Sequence, residues 1–587
     1  MHRLFPLLVL TGSLALAAPL TIRGVTASAQ KSTNPASAAI DRNLNTWWSA
    51  DWTPGQPYHT FTVEVPANSV VRRLNVAFYA GDARRAAFLV ETSSDGTTWR
   101  QVLPLGISSG LSRELQPFDL TPSTARFVRV TSFGNTQNTA SAITEVTVEG
   151  DAPVVVQPAQ VTPAWYVDAV SGNDTNPGTQ ARPWKSLARA SREVLPPGAT
   201  LRLRKGQVFK EVLNATWKGT REKPIVISAY GTNGDSPLVK GSSNGPVVQI
   251  RGEWLIFEHL QVSADLPSSW KAKNPSFSGT LRCPNQPQGW TTGFTFTASA
   301  RNNVVRQSTA YGMTAGVHFQ EGSEHNEVRD SRLVKNTVIS TNTPASVKYD
   351  DDSGAWGVLL NGKNNRVINN YFSGNSGCSE DYGVEGASFE LYKTSGNLIL
   401  ENTLVDETTM AELGGTPTCR SENNTFAFNA YSTRVGGQTL IVRGHGAKWG
   451  GNPGTRFYNN TAWGVRDGIL CSDGCSPEIL SARNNIIVQQ QSLNDRNHAL
   501  WTDGTFDDGH NLFWRVGGNP SVRYTNGATR PTTNRTVDPR LVNPGANDLR
   551  LSAGSPAVWT GTGAPLRLLG LPVIEGRVHI GAQDVAR

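Results

Sequence analysis

Between residues 20 and 150 apolar and polar residues alternate in short runs, clearest at 61–65, 74–78 and 126–130, with turn-forming residues between them. A period of two sends every second side chain to one face, so these runs predict the strands of a β-sandwich. Farther along the pattern lengthens into a repeat. An Asn or other polar residue is followed by an apolar residue two positions later, Asn or Ser five later and a second apolar residue seven later, as in Asn365, Val367, Asn370 and Phe372. Other copies start at Asn303, Asn326, Asn397 and Asn424, and weaker ones at Glu253, Thr455 and Asn485. The clear copies recur at 23 to 39 residues. That suits one short coil with variable insertions, the pattern of a parallel β-helix whose turn Asn side chains ladder from coil to coil.

The two textures meet in a Pro- and Val-rich stretch over 151–164 that reads as an extended linker. Residues 1–18 place Arg3 before a short apolar run ending in small residues, the pattern of a signal peptide, so the chain is expected to be exported. The predicted organisation is therefore signal peptide 1–18, sandwich 20–150, linker 151–164 and β-helix 165–587, an all-β protein.

Composition narrows the function classes. The 587 residues carry a formal charge of +7, or +6 once Arg3 is removed, with no basic runs interleaved with aromatics, so nucleic acid is excluded as a partner. No stretch is apolar enough to span a bilayer, and membrane insertion is excluded on that ground. Of the five cysteines, Cys471 and Cys475 are spaced for a disulfide; the pairing of Cys283, Cys378 and Cys419 stays open.

The motifs at 35–41, 43–48, 94–99, 126–130 and 143–150, among them Asn43-Leu-Asn-Thr-Trp-Trp48 and Ser94-Asp-Gly-Thr-Thr-Trp99, occur in order. Together they resemble a discoidin, or coagulation-factor type C, module. The resemblance implies an eight-stranded jelly roll serving as a carbohydrate-binding module, with a structural Ca²⁺ held by Asp41, Thr46 and Glu145. Trp52, Tyr58, His59 and Tyr79 lie near predicted loops where they would stack on a sugar, while Trp48 and Trp99 are expected in the core.

The opening at 172–178, the Asn repeats and the ending around 538–582 resemble the pectate-lyase-like right-handed parallel β-helix superfamily. That superfamily holds lyases, hydrolases, epimerases and silent adhesins, so the reaction must come from the site residues. Aligning the strand before each repeat puts Thr295, His318, Leu359, Glu390, Glu412 and Ile441 in one outward column, with coils about 4.8 Å apart. A second column holds Asn361, Tyr392, Gly414 and Arg443, with Lys393 and His445 at the following turn.

Adjacent glutamates repel unless a cation or Arg443 compensates. Three readings of the pair stay open. In a lyase, Glu390 and Glu412, with Asn361 or an Asp of 350–352, hold Ca²⁺ against a substrate uronate, Lys393 or His445 takes the C5 proton and Arg443 steadies the enolate. This layout resembles alginate lyase and chondroitinase B-like enzymes. In a retaining glycosidase the two glutamates are acid and nucleophile. In a solvated ladder they are structural. His318, Asn361, Tyr392 and Trp449 are expected to touch the sugar, and Trp356, Trp449 and Trp463 either serve as stacking platforms or cover the end of the coil core. The whole protein is thus expected to act on a polysaccharide, by β-elimination of a uronate-containing chain, with hydrolysis or glycan binding alone as alternatives.

Overall fold

The computed structural model describes residues 18–51, 58–152, 162–241, 244–266, 283, 286–343, 352–490, 496–558, 560–563 and 577–582. Residues 1–17 of the expected signal peptide, Trp52, Asp350 and Asp351 lie outside the described residues, and so does most of the expected linker. The chain divides into two compact units, residues 1–160 with 562–578 and 161–561 with 579–587.

The first unit is an antiparallel β-sandwich of eight strands. Its two longest, His59–Phe78 and Gln116–Asn135, pair along most of their length with register shifts near Glu64/Ser69 and Val71/Arg73. Those irregularities bend each strand so that it serves both halves of the sandwich. The alternation carries directly into packing: Phe61, Val63 and Val65 are buried with Trp48, Phe88 and Val130, while the residues between them are partly exposed. Trp99 departs from its expected core place. It lies half-buried with the Arg129 guanidinium 3.8 Å over its ring.

The second unit is a parallel β-helix of three sheets, two of twelve strands and one of eleven, every neighbouring pair parallel. A strand Ala164–Val167, a turn and the helix Leu187–Arg192 open it, and the Ser186 side chain caps that helix by accepting from Arg189 N. Each coil contributes one strand to each sheet. The repeat maps onto the turns between them. Residues such as Asn364, Asn369, Glu401, Asn423 and Phe428 take positive φ, and the following residue is the inward polar one of the repeat. Two ladders result, Asn303–Asn326–Asn365–Asn397–Asn424 and Ser331–Asn370–Asn402–Asn429–Asn460–Asn485–Asn511–Asn534. Every side-chain oxygen on these ladders satisfies a main-chain N–H of the preceding coil that would otherwise be a buried orphan. Asn485 belongs to the second ladder, so its coil starts at Leu480 and not at Asn485; Leu480 offers no polar side chain to mark the start.

The apolar repeat positions fill a continuous core, with Val367, Phe372, Ile399, Leu404, Phe426 and Tyr431 fully buried. At the carboxy-terminal end, Leu551, Ala557 and Ile580 cover Ile486, Val488 and Leu512, and Trp463 and Trp514 pack against the same cluster. Trp463 therefore takes the covering role of the two open to it.

Candidate functional site

The strands of the eleven-stranded sheet are longer than those of the other two around the middle of the β-helix: Trp356–Leu360, Ala387–Tyr392, Thr409–Gly414 and Gln438–Arg443. Their registers align Leu359, Glu390, Glu412 and Ile441 across four successive strands. Phe389 and Leu391 point into the core at 0% exposure, which turns Glu390 outward. These strands floor a cavity of about 920 Å³ lined by Glu390, Glu412, Asn361, Tyr392, Arg443 and Trp449 among others. Its size is that of a small-molecule site.

Arg443 determines the electrostatics of the floor. Its Nη2 donates to Glu412 Oε1 at 2.6 Å and its Nη1 to Leu413 O at 2.6 Å. The main-chain N–H of Arg443 donates to Asn452 Oδ1 at 2.8 Å, which fixes the end of the strand. Gly414 lies between Tyr392 and Arg443, and a Cβ there would come within 3.2 Å of the Tyr392 ring. Leu359 and Ile441 bracket the glutamates on the column, so the pair sits between apolar neighbours.

Several expected residues lie elsewhere. His318 holds its place in the column, but the Trp290 ring meets it edge-on at 5.6 Å and it is buried away from the cavity. Asn361 Nδ2 donates to Tyr392 O, so Asn361 Oδ1 faces His318 Nε2 at 2.8 Å and that nitrogen carries the proton. Burial pushes the His318 pKa down to about 4, leaving the ring neutral. Lys393 and His445 do not line the cavity. The Lys393 ammonium sits 5.0 Å over the Tyr392 ring. His445 Nδ1 lies 3.2 Å from Arg420 and Nε2 3.4 Å from Glu478, on the turn beyond the strand.

Trp290, Tyr382, Lys448 and Arg466 line the cavity and were not singled out by the repeat. They come from turns and insertions, which carry no period. One signal was present: Trp290 directly precedes the strand Thr291–Phe296, and Trp356 opens a strand of the same sheet.

The expected Ca²⁺ between Glu390 and Glu412 does not fit these donors. Asn361 Oδ1 is taken by His318 and Glu412 by Arg443. Asp352, on the wall, accepts from Thr343 N, Ser379 Oγ and Asp381 N. Among the described residues no group of three or more His, Cys, Asp or Glu is placed to hold a metal.

In the sandwich, Thr46 Oγ1 donates to Asp41 Oδ2 at 2.7 Å, and Glu145 Oε2 accepts from Arg42 N at 2.7 Å. Burial, and secondarily the Asp41 charge, push the Glu145 carboxyl above its ordinary range. These are hard oxygens of the type that Ca²⁺ takes, each already engaged within the loop by Thr46, Asn43 N or Arg42 N. At the loops, Tyr79 is 40% exposed and its ring packs at a tilt against Trp47, centroids 4.3 Å apart, whereas His59 is buried with Nε2 2.8 Å from Asp51 O. His59 therefore offers no surface to a sugar; Tyr58, at 45% exposure, does.

Cys471 is bonded to Cys475 and Cys283 to Cys378, leaving Cys419 as an exposed free thiol.

No curated protein sequence matches the chain. Among solved structures, the CBM32 of AlyQ in complex with 4,5-unsaturated mannuronic acid is 35% identical over 22% of this chain and 96% of that one, with a TM-score of 0.21. Truncated AlyQ with CBM32 and alginate lyase domains is 33% identical over 25% of this chain and 37% of its own length, with a TM-score of 0.22. The GH136 lacto-N-biosidase from Eubacterium ramulus is 17% identical over 64% of this chain and 67% of that one, with a TM-score of 0.42. The F5/8 type C domain model matches residues 24–146. Through residues 24–146 the chain belongs to the F5/8 type C family, the discoidin modules that include carbohydrate-binding module 32.

Proposed function

We propose that the protein is an extracellular glycan-cleaving enzyme, a retaining hydrolase of an acidic polysaccharide, held to its substrate by the discoidin module. The carrying observation is the register that makes Glu390 and Glu412 direct neighbours in a cavity, with Arg443 on one of them. Adjacent strands are about 4.8 Å apart, the scale of the roughly 5–5.5 Å between the two carboxyl groups of retaining glycosidases. Arg443 Nη2 donates to Glu412 Oε1 and holds that carboxylate in place, which suits the nucleophile. Glu412 attacks the anomeric carbon and Glu390 gives its proton to the departing glycosidic oxygen. Glu390 then takes a proton from water as that water displaces Glu412, and both carboxyl groups return to their starting states. Of the cations in the lining, Arg443 is paired with Glu412 and Arg466 with Asp467, and Lys448 is the one offered as the contact for a substrate carboxylate. The two disulfides favour an oxidising compartment.

β-Elimination is the second reading, favoured by Tyr392 on the cavity floor as a base beside Arg443. The deciding experiment incubates the protein with polygalacturonate and alginate, following reducing ends and absorbance near 235 nm. Hydrolysis gives reducing ends with no absorbance change and loses them in Glu412→Gln. A rise at 235 nm establishes elimination instead. Neither signal, with polysaccharide retained by the protein, leaves a glycan-binding protein.

In the discoidin module, Asp41, Thr46 and Glu145 are proposed to hold a structural Ca²⁺, with Tyr58 and Tyr79 as sugar contacts.

A further inference from the structure

The cavity is closed at the end that faces the amino-terminal coils. Counting along the column from the catalytic pair, Leu359 is one strand away and lines the cavity, whereas His318, the next, is already covered. The cover is Trp290, whose ring meets His318 at 5.6 Å and Trp356 at 6.3 Å, both edge-on. It packs on a small apolar cluster of Ala315, Trp356, Leu359 and Ala387 outside the main core. A cluster of this kind on the outer face of a sheet has to be roofed, and Trp290 is the roof.

The roof is firmly held. Trp290 O accepts from Gly245 N at 2.8 Å, and Gly289 N donates to Ile339 O at 2.9 Å. Gln286 Nε2 donates to Thr337 O at 2.6 Å, and its Oε1 accepts from Cys378 N at 2.7 Å. The Cys283–Cys378 bond then joins this segment to the hairpin of Gly377–Ser379 and Gly383–Glu385, whose Tyr382 and Glu385 line the cavity. Among the described residues this wall leaves no open groove along which an unbroken polymer would pass.

We propose that the site takes the end of a glycan chain, with the terminal sugar between Trp290 and the Glu390–Glu412 pair, and so acts as an exo-enzyme; this rests on the cleavage reading above. Only one coil, about 5 Å, separates the pair from the roof. That is the length of one sugar residue along a chain, so one residue at most fits beyond the cleaved bond. On the opposite side the column continues past Ile441 to Leu470 and Trp501, neither of which is buried, leaving room for the rest of the chain.

The test uses the full chain with hexamers of galacturonate and of mannuronate. Each is supplied unmodified, reduced to the alditol at one end, or 4-O-methylated at the other. The expected result is one product size from the first minutes, and loss of at least about tenfold in rate when one particular end is blocked but not the other. Trp290→Gly is expected to release a spread of oligomers from the polymers. A spread of sizes from wild type, or indifference to both blocked ends, overturns the proposal. If no hexamer is cleaved, the cleavage reading fails, and titration of the same hexamers into the protein decides the present one. Binding lost with one blocked end upholds it; equal binding of all, or binding of none, overturns it.

Discussion

Arg443 reaches back one strand to Glu412, Nη2 to Oε1 at 2.6 Å, on the flank of Glu412 opposite Glu390. One carboxylate of the pair thus has a fixed cation and the other has the first as its neighbour. The two side chains of the ion pair are 17% and 29% exposed, so solvent screens the interaction only in part. Arg443→Ala is expected to cost about 1–2 kcal/mol of stability and to lower kcat about 100-fold. Glu412→Gln is expected to lower it on the order of 10⁴-fold with the fold intact by circular dichroism. Equal kcat in wild type and Arg443→Ala would remove Arg443 from the mechanism.

Glu407 gives a pH-dependent prediction. It ends a third ladder, Asn336–Asn375–Glu407, accepting from Asn375 N at 3.1 Å and Ser388 Oγ at 2.9 Å inside the core. Burial pushes its pKa from 4.5 up to about 7. A carboxyl raised in this way holds a proton in the folded chain that the unfolded chain has released. Its contribution to stability is therefore complete below about pH 4.5 and lost as the pH rises through about 7. Glu407→Gln removes that dependence, and at pH 8 the variant is expected to exceed wild type by up to about 3 kcal/mol in urea unfolding. The difference should vanish near pH 4. A variant less stable than wild type at pH 8 would mean that the Asn375 and Ser388 donors hold the carboxylate ionised.

The ladders themselves are testable at Asn402. Its Oδ1 accepts from Asn370 N and Nδ2, and its own Nδ2 donates to Val367 O and Asn429 Oδ1, all buried. Asn402→Ala leaves two main-chain groups of the preceding coil, Asn370 N and Val367 O, without this partner, at an expected cost of about 2–4 kcal/mol. A loss below about 1 kcal/mol would show that water replaces the amide.

The ladders and the floor of the site share one reason for being legible in the sequence. Strand side chains alternate strictly, so once Phe389 and Leu391 are recognised as core, Glu390 must face outward, and the repeat fixes Glu412 beside it. The walls follow no such rule. Trp290, Tyr382, Lys448 and Arg466 leave the coils on turns of unequal length whose paths depend on packing and on the Cys283–Cys378 bond. Lys393 and His445 show the same limit from the other side. Each lies within three residues of a floor residue in sequence, yet a positive φ at Lys393 and the turn after Arg443 carry them off the cavity. In the sandwich, His59 stands beside a predicted loop but is drawn inward to Asp51 O, a contact that the alternation does not specify.

For the discoidin module, the buried Glu145 beside Asp41 predicts stabilisation by Ca²⁺. Saturating the site one hundredfold above its Kd should add about 2.7 kcal/mol to the unfolding free energy. Calorimetry with Ca²⁺ and with chelator should resolve this shift in wild type and lose it in Glu145→Gln. A transition unmoved by Ca²⁺ in wild type would leave Arg42 N as the partner that Glu145 is built for.

The Cys283–Cys378 bond separates an effect on the cavity wall from one on its floor. It closes a span of 95 residues, so its loss is expected to cost up to about 4 kcal/mol by freeing the unfolded chain. The Glu390–Glu412 pair sits on strands held by parallel registers that do not involve either cysteine. Tyr382 and Glu385, in contrast, ride on the hairpin that the bond secures. In a Cys419→Ser background, which removes the exposed thiol, Cys378→Ser is expected to raise KM about tenfold and change kcat by less than about threefold. Matched losses in kcat and kcat/KM would instead mean that the wall holds the glutamates in place. The same variant should then lose the single product size expected of a closed cavity, because the Trp290 roof is tied to the hairpin by this bond.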